Sequence, residues 1–302
     1  MTTWISALDS APLDPETRVR TFDVANVDHE MLIGWKAGRT ISMCFPCRDE
    51  GATIGPLVSA AREHLVDRHP VLDELVVIDD RSTDDTAMVA ADAGARVVQI
   101  EDIHAQHGVG HGKGNVLWAS MQASTGDIVV WCDGDVTSFR PDWVLHLVAP
   151  LLQHDEVALV KAKYDRPTGG GGGGRTTELV ARPLLSLYFP ELTALAQPLS
   201  GEFAGRRSML ERIPFVEGWG AEIAMLIDLS REFGAASIGQ VDLGERHHRH
   251  RSLHSLTVQA SEVLATTLGR AGVHTGIDLP ALTRADGSMV PLNLAERPPI
   301  RP

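Results

Sequence analysis

Short apolar runs alternate with amphipathic stretches over the first half of the chain. Five runs are too short for helices and rich in β-branched residues, which predicts strands at 40–45, 74–79, 95–100, 128–132 and 157–163. Between these runs apolar residues recur with a helical period, at 52–66, 84–93, 113–123 and 141–153. Strands and helices alternating at this spacing predict an α/β fold with a mostly parallel sheet and helices on both faces.

The segments around this alternation carry weaker patterns. Residues 1–38 have the character of an irregular lead-in with one short helix near 28–36. The acidic, His-containing stretch after the third strand is interpreted as a loop. Ser82 and Asp85 have the spacing of a capping box, which would open the helix at 84–93.

The C-terminal third predicts one more strand and one long helix. The strand is expected at 237–243, and residues 281–302 form a Pro-rich segment that we expect to be irregular. The amphipathic pattern at 253–270 predicts a helix. Its candidate packing residues are Leu256, Val263, Leu264 and Leu268.

Two aspartates follow the fourth apolar run, where Asp133, Gly134 and Asp135 end a strand that is expected to be fully buried. In open α/β sheets ligands bind outside the carboxyl ends of the strands. Paired carboxylates at that edge suit a divalent cation that grips a diphosphate. The alternative is a simple turn, because Asp-Gly is a common turn dipeptide.

A glycine-rich loop precedes the helix at 113–123. Its spacing, from Gly108 through Gly112 to Gly114, lacks the Walker pattern and argues against a P-loop. Lys113 nevertheless stands at a helix N-terminus, where a cation joined to backbone N–H groups suits a phosphate or diphosphate. A solvated lysine on a flexible turn fits the segment equally well.

Composition and charge limit the partners of the chain. Its 302 residues are 43% hydrophobic and carry a formal charge of -13, which makes nucleic acid or an anionic membrane an unsuitable main partner. An anionic ligand therefore needs a local cationic pocket. The chain shows no apolar stretch of membrane-spanning length and no signal-peptide pattern near Met1, so a cytoplasmic protein is expected.

Cysteine and histidine clusters offer two further sites. Cys44 and Cys47 form a C-x-x-C, but strand residues three apart point to opposite faces, so structural thiols are favoured over a redox pair. A run of histidines contains no nearby cysteine, which argues against a structural zinc site and leaves one of the four as a candidate metal ligand: His247, His248, His250 and His254. The six glycines at 169–174 could form a mobile lid or only a linker.

Several segments in order resemble one family. The segments are Pro46 to Glu50, Ser82 to Thr86, Lys113 with its glycines, Asp133-Gly-Asp135, Gly173 to Pro183, Gln197 to Glu202, Gly220 to Ile223 and Gly244 to Arg249. Together they are similar to the actinobacterial glucosyl-3-phosphoglycerate synthases and the related mannosyl-3-phosphoglycerate synthases. These are retaining glycosyltransferases of the GT-A fold.

The resemblance implies an architecture and an activity. After a lead-in at 1–38, a Rossmann-like nucleotide-sugar half at 39–163 would join an acceptor half at 164–252, followed by a C-terminal helix and tail at 253–302. The implied enzyme is a homodimer that moves a hexose from a nucleotide diphosphate to the 2-hydroxyl of 3-phosphoglycerate with Mg²⁺ or Mn²⁺. Glucose from UDP-glucose is favoured, and mannose from GDP-mannose is the alternative. A sugar-1-phosphate nucleotidyltransferase and a non-catalytic nucleotide-sugar binding protein are more distant alternatives.

The resemblance also implies roles for individual residues. Catalysis would fall to Glu222, Lys113 and Asp135, with Asp135 and His248 as metal ligands. The donor pocket would be lined by Pro46, Cys47, Glu50, Ser82, Lys113, Asp133, Gly134 and Asp135. The acceptor would contact Gly174, Arg175, Thr177 and His250.

Overall fold

The computed structural model of the protein describes residues 18–165, 174–246, 253–273 and 281–301. The strands in these ranges are β1 (Arg20–Phe22), β2 (Ile41–Cys47), β3 (Glu74–Asp79), β4 (Arg96–Gln99), β5 (Ile128–Trp131), β6 (Leu159–Asp165), β7 (Phe203–Arg206), β8 (Phe215–Val216), β9 (Ile238–Glu245), β10 (Ala281–Thr283), β11 (Met289–Pro291) and β12 (Glu296–Arg297). The α-helices are α1 (His29–Lys36), α2 (Gly51–Arg62), α3 (Thr86–Asp92), α4 (Ile100–His107), α5 (Lys113–Ala123), α6 (Asp142–Gln153), α7 (Arg182–Tyr188), α8 (Arg207–Leu210), α9 (Ala221–Phe233) and α10 (Leu253–Arg270). No helix in this part of the chain is both long and apolar enough to cross a bilayer.

Eight strands form one sheet in the spatial order β1-β9-β6-β7-β5-β2-β3-β4. Most neighbouring strands are parallel. The exception is β7, which runs antiparallel to both β5 and β6. The predicted mostly parallel α/β sheet is therefore confirmed, with one reversed strand inside it.

Apolar side chains on the two faces of the sheet form two separate cores. Successive residues of a strand point to opposite faces, so Cys44 lies in one core and Phe45 in the other. Side chains of α1, α2, α3 and α6 pack on the Phe45 face, whereas those of α4, α5, α7 and α9 pack on the Cys44 face. Helices therefore cover both faces, as predicted.

Strand β5 is buried on both sides, which explains its continuous apolar run. Val129 and Trp131 face the core that contains Cys44, and Ile128 and Val130 face the other core. The indole nitrogen of Trp131 donates a hydrogen bond to Ser120 Oγ at 2.7 Å, so its polar atom is satisfied inside the core. The strand delivers the chain to the carboxyl edge of the sheet, where the polar residues begin.

The stretch after β4 is a helix, so its interpretation as a loop was wrong. Helix α4 carries Glu101 and Asp102 in its first turn and His104 and His107 in its last. Acidic residues near the N-terminus and basic residues near the C-terminus complement the helix dipole. The same charges that suggested a loop therefore suit a helix.

The predicted capping box was also wrong. Helix α3 begins at Thr86, and Asp85 makes no side-chain capping hydrogen bond. Ser82 Oγ instead donates to Asp79 Oδ1 at the end of β3. It also accepts a hydrogen bond from the backbone of Asp49, so the hydroxyl joins two loops at the carboxyl edge of the sheet.

Both ends of the described chain are more regular than predicted. The short helix α1 is present, but β1 also lies in the supposedly irregular lead-in, where it pairs with β9. The segment 281–301 forms the β10–β11 hairpin and the strand β12, which pairs with β8. Helix α10 has the predicted bounds, and Val263 is buried, but Leu264 is 42% exposed and does not pack as expected.

Candidate functional site

A cavity of about 370 Å³ opens at the carboxyl edge of the sheet. It is lined by every predicted donor-pocket residue except Ser82, together with five residues to which we assigned no role. The lining residues are Pro46, Cys47, Arg48, Glu50, Asp80, Gly112, Lys113, Val116, Asp133, Gly134, Asp135 and Trp219. Residues from five separate segments of the chain therefore meet where the sheet predicts a ligand site.

Asp133 is held between two cations. Its Oδ1 lies 2.9 Å from Lys113 Nζ, and its Oδ2 lies 3.2 Å from Arg246 Nη2. Gly201 packs directly against this carboxylate, since a Cβ at that position would lie 1.9 Å from Asp133 Oδ2. The orientation of Asp133 is therefore fixed by charge on both sides and by the space that glycine leaves.

Lys113 links the cavity to Glu222. The lysine stands in the first turn of α5, its side chain is 14% exposed, and its Nζ lies 2.6 Å from Glu222 Oε1. Burial alone would lower the pKa of Lys113, but the charges of Asp133 and Glu222 raise it above its ordinary value. Lys113 therefore remains a cation at neutral pH. Glu222 is 5% exposed and does not line the cavity itself.

Close backbone contact fixes the start of α5. A Cβ on Gly114 would lie 1.8 Å from the carbonyl oxygen of Val216, so only glycine fits between α5 and β8. Gly112 adopts a φ of 88°, a conformation that side chains disfavour. Gly112 and Gly114, which resembled part of a phosphate loop, therefore allow α5 to pack closely against β8. This packing places Lys113 next to Asp133.

Arg246 and Glu202 were not predicted as functional residues. Arg246 is 4% exposed and its Nε donates to Glu202 Oε1 at 2.9 Å. Burial raises the pKa of Glu202, and the charge of Arg246 opposes that rise. The pair sits beside Asp133 and gives it a second, buried cation. Both residues belong to segments of the family resemblance, which was the available signal in the sequence.

The carboxylates of the cavity suit a hard divalent cation. Asp135 lines this cavity and is the predicted metal ligand, and Arg246 Nη2 lies 4.0 Å from its Oδ1. Within residues 18–165, 174–246, 253–273 and 281–301 no three His, Cys, Asp or Glu side chains form a metal-binding group. His247, His248 and His250 lie outside the described residues, so the predicted ligand His248 stays a prediction.

Among the described acceptor residues, Gly174, Arg175 and Thr177 do not line this cavity. Gly174 has a φ of 84°, and its carbonyl oxygen accepts a hydrogen bond from the backbone of Glu178. Thr177 is buried and opens a short π-helix, Thr177–Ala181. Arg175 lies between them. The segment after the glycines is therefore helical, while the acceptor role of Gly174, Arg175 and Thr177 remains a prediction.

The cysteines are structural, as predicted. Cys44, Cys47 and Cys132 are all free and buried, and Cys44 and Cys47 point into different cores. Burial raises the pKa of Cys44 to about 12 and that of Cys47 well above its ordinary value. Neither thiol has the low pKa that redox chemistry requires. Cys47 Sγ instead limits the space at Gly134, where a Cβ would lie 2.7 Å from the sulfur.

Comparison with known proteins gives consistent matches. Residues 42–214 match the family model described as Glycosyl transferase family 2. The glucosyl-3-phosphoglycerate synthase of Petrotoga mobilis is 46% identical over 260 residues, which cover 84% of this chain and 80% of that protein. The synthase of the same name from Mycolicibacterium paratuberculosis is 45% identical over 284 residues, covering 88% of this chain and 85% of that protein.

A solved structure shows the same fold with ligands bound. It is the glucosyl-3-phosphoglycerate synthase of Mycobacterium tuberculosis in complex with Mn²⁺, UDP-glucose and phosphoglyceric acid. The TM-score is 0.85 at 41% identity, and the match covers 94% of this chain and 98% of that one. A complex of that enzyme with Mn²⁺, UDP and glucosyl-3-phosphoglycerate matches equally well, at a TM-score of 0.85.

Proposed function

This chain belongs to glycosyl transferase family 2 and, within it, to the glucosyl-3-phosphoglycerate synthases, and from that premise we propose that it transfers glucose from UDP-glucose to the 2-hydroxyl of 3-phosphoglycerate. The observation that carries the proposal is the cavity in which Lys113, Asp133 and Asp135 meet at the carboxyl edge of the sheet. The relatives named above are all glucosyl enzymes, which favours UDP-glucose over GDP-mannose as the donor.

The donor side of the cavity has the chemistry that a nucleotide diphosphate needs. We assign Asp133 and Gly134 to the nucleoside side, with Pro46, Cys47 and Glu50 as the facing wall. Lys113 keeps its proton at neutral pH and can offer positive charge to the departing diphosphate. Because its two carboxylate partners lie at 2.9 and 2.6 Å, the ammonium is already oriented before a donor binds. Ser82 remains assigned to the nucleotide pocket, through its contacts at the ends of β2 and β3.

Asp135 would hold a divalent cation, with His248 as the second predicted ligand. Carboxylate oxygen suits Mg²⁺ and Mn²⁺, and imidazole suits Mn²⁺ in particular. A bound ion of this kind supplies Lewis-acid stabilisation of charge on a phosphoryl oxygen. Asp133 remains outside this shell in our assignment, since Lys113 and Arg246 already neutralise it.

The sugar and acceptor side rests on Glu222 and on the segment after the glycine run. Glu222 is fixed by Lys113 and would orient the reacting sugar. Gly174, Arg175 and Thr177 would bind the phosphate of the acceptor, with His250 as a further contact. We keep the proposed division into a donor half at 39–163 and an acceptor half at 164–252, together with the homodimer. The three free thiols support a reducing, cytoplasmic location.

A matrix of donors and acceptors tests the function. UDP-glucose, UDP-galactose, GDP-glucose and GDP-mannose are each incubated with 3-phosphoglycerate or plain glycerate, with Mg²⁺ or Mn²⁺, and release of nucleoside diphosphate is measured. We expect the highest turnover with UDP-glucose and 3-phosphoglycerate, and an α-glucosyl product by NMR if the reaction is retaining. Release of pyrophosphate from UTP and glucose 1-phosphate would instead identify a nucleotidyltransferase. Donor binding without turnover would identify a binding protein.

A further inference from the structure

The C-terminal strand β12 carries a buried arginine against the loop that precedes Lys113. Arg297 is 6% exposed, and its Nη1 and Nη2 donate to the carbonyl oxygens of His107 and Gly108 at 3.0 and 2.9 Å. Its Nε donates to Asn115 Oδ1 at 2.9 Å, and the guanidinium lies 5.0 Å from the ring centroid of Trp118. One side chain therefore contacts the end of α4 and the start of α5.

The same arginine is joined to the loop through Glu217. Arg297 Nε lies 3.0 Å from Glu217 Oε1, and Glu217 Oε2 accepts a hydrogen bond from the backbone of His111 at 3.1 Å. Asn293 of the same C-terminal segment donates to the carbonyl oxygen of His111 at 2.6 Å. These hydrogen bonds therefore hold the loop at Gly108, where it begins, and at His111, close to the start of α5.

This loop needs external support because its own sequence provides little. Gly108, Gly110 and Gly112 alternate along it, and glycine leaves the backbone with more freedom than any other residue. Helix α5 also begins without a side-chain cap. A planar guanidinium with five donors can hold two carbonyls and two side chains at once, which an ammonium cannot do.

We propose that Arg297 is a positioning residue for the donor site: it fixes the loop 108–112 and thereby the place of Lys113 in the cavity. This inference rests on the proposed glucosyl transfer, because its effect is read at the diphosphate side of that reaction. Arg297 itself does not line the cavity. A role in positioning predicts that its loss acts through Lys113 and on the donor, not on the acceptor.

The test compares Arg297→Lys with Arg301→Lys in the full chain. Arg301 stands in the same tail, but it pairs with Glu211 at 3.0 Å and its side chain is 76% exposed. We expect Arg297→Lys to lower kcat at least about tenfold, since a misplacement of about 1 Å can cost on the order of 100-fold. The KM for 3-phosphoglycerate should stay unchanged, and Arg301→Lys should behave as wild type in every assay.

A double-mutant cycle with Lys113→Ala distinguishes a positioning role of Arg297 from a general loss of structure. If Arg297 acts through Lys113, Arg297→Lys should produce no further loss of kcat or of UDP affinity, measured by calorimetry, once Lys113 is absent. Equal effects of Arg297→Lys in both backgrounds would overturn the inference, as would a lowered denaturation midpoint with unchanged kcat and UDP affinity. If Arg297→Lys fails to fold, Asn293→Ala removes the hydrogen bond from the C-terminal segment to the carbonyl oxygen of His111, and an unchanged kcat in that variant overturns the inference.

The two proposals fail in different ways. A wild-type protein that binds UDP but transfers no glucose refutes the proposed function. In that case the positioning role is still supported if Arg297→Lys weakens UDP binding when Lys113 is present but has no effect on UDP binding in the Lys113→Ala background. Normal transfer by the wild type and by Arg297→Lys alike leaves the function intact and removes the inference.

Discussion

Lys161 is a buried lysine with no carboxylate partner among its hydrogen bonds in the described chain. It lies in β6, is 1% exposed, and donates from Nζ to the carbonyl oxygen of Ser200 at 2.6 Å. The ammonium lies 4.3 Å from the ring centroid of Phe203. Burial lowers the pKa of Lys161 to about 8, with Glu222 acting against this fall and Lys113 adding to it.

The size and sign of the effect follow from this pKa. A fall from the ordinary value of 10.5 to about 8 corresponds to about 3 kcal/mol, at about 1.4 kcal/mol per pH unit. Between these two pH values the unfolded chain keeps a proton that the folded chain has lost, so the free energy of unfolding rises with pH. Below pH 8 both states are protonated, and the folded state carries the full cost of the buried charge.

Lys161→Met should therefore change the pH dependence of stability in a defined way. The methionine removes the buried charge but leaves the carbonyl of Ser200 unpaired, which costs about 1–3 kcal/mol at every pH. This cost does not depend on pH. The free energy of unfolding of the variant, relative to that of wild type, should therefore fall by about 3 kcal/mol as the pH rises from 7 to 10.5.

Urea unfolding of both proteins at pH 7, 8, 9 and 10 measures this difference. Lys163→Met is the matched control, because Lys163 lies two residues along the same strand but is 42% exposed and pairs with Asp242. The difference in free energy of unfolding between Lys163→Met and wild type should stay nearly constant over the same pH range. The reasoning would be refuted if the free energy of unfolding of Lys161→Met, relative to that of wild type, stayed constant or rose with increasing pH.

Three further variants test the site itself. Gly201→Ala places a methyl group 1.9 Å from Asp133 Oδ2, so overpacking should cost about 1–3 kcal/mol in urea unfolding and weaken UDP binding; wild-type values for both would contradict the packing argument. Asp135→Ala should abolish metal-dependent donor binding and transfer with an unchanged circular dichroism spectrum, whereas full activity in excess chelator would exclude the metal. Arg175→Ala should raise the KM for 3-phosphoglycerate at least about tenfold, or about 1.4 kcal/mol, with partial recovery in Arg175→Lys and unchanged donor affinity; weaker donor binding instead would move the loop to the nucleotide side.

Local patterns indicated Asp133 and Lys113, which both line the cavity, whereas other predicted donor residues such as Glu50 came only from the family resemblance. The apolar run of β5 ends at Asp133, and the glycines before α5 mark Lys113, so both residues are visible in short windows of sequence. The strand order of an α/β sheet then brings their loops to one edge. Helix α4 was missed because its polar residues, such as Glu101 and His107, match a solvent-exposed helix as well as a loop.

Long-range pairs could not be predicted in the same way. Arg246 meets Glu202 across 44 residues of sequence, and Arg297 meets Asn115 across 182. No spacing rule connects such partners, because their approach depends on the complete sheet and on the return of the C-terminal tail. The strand β12 is only two residues long, too short for any periodic pattern, yet it places a buried arginine against the loop that precedes Lys113.

The reversed strand β7 explains why the cluster around Asp133 forms at all. In a parallel sheet the carboxyl ends share one edge, so a residue that precedes its strand would lie at the opposite edge. Because β7 is antiparallel, Trp131 of β5 lies opposite Phe203, and continuing that register by two residues places Asp133 opposite Gly201. The segment before β7 therefore reaches the carboxyl edge and brings Glu202 to Arg246. If only parallel strands are assumed, Glu202 lies at the opposite edge of the sheet, which is why its pairing with Arg246 beside Asp133 could not be predicted from local patterns.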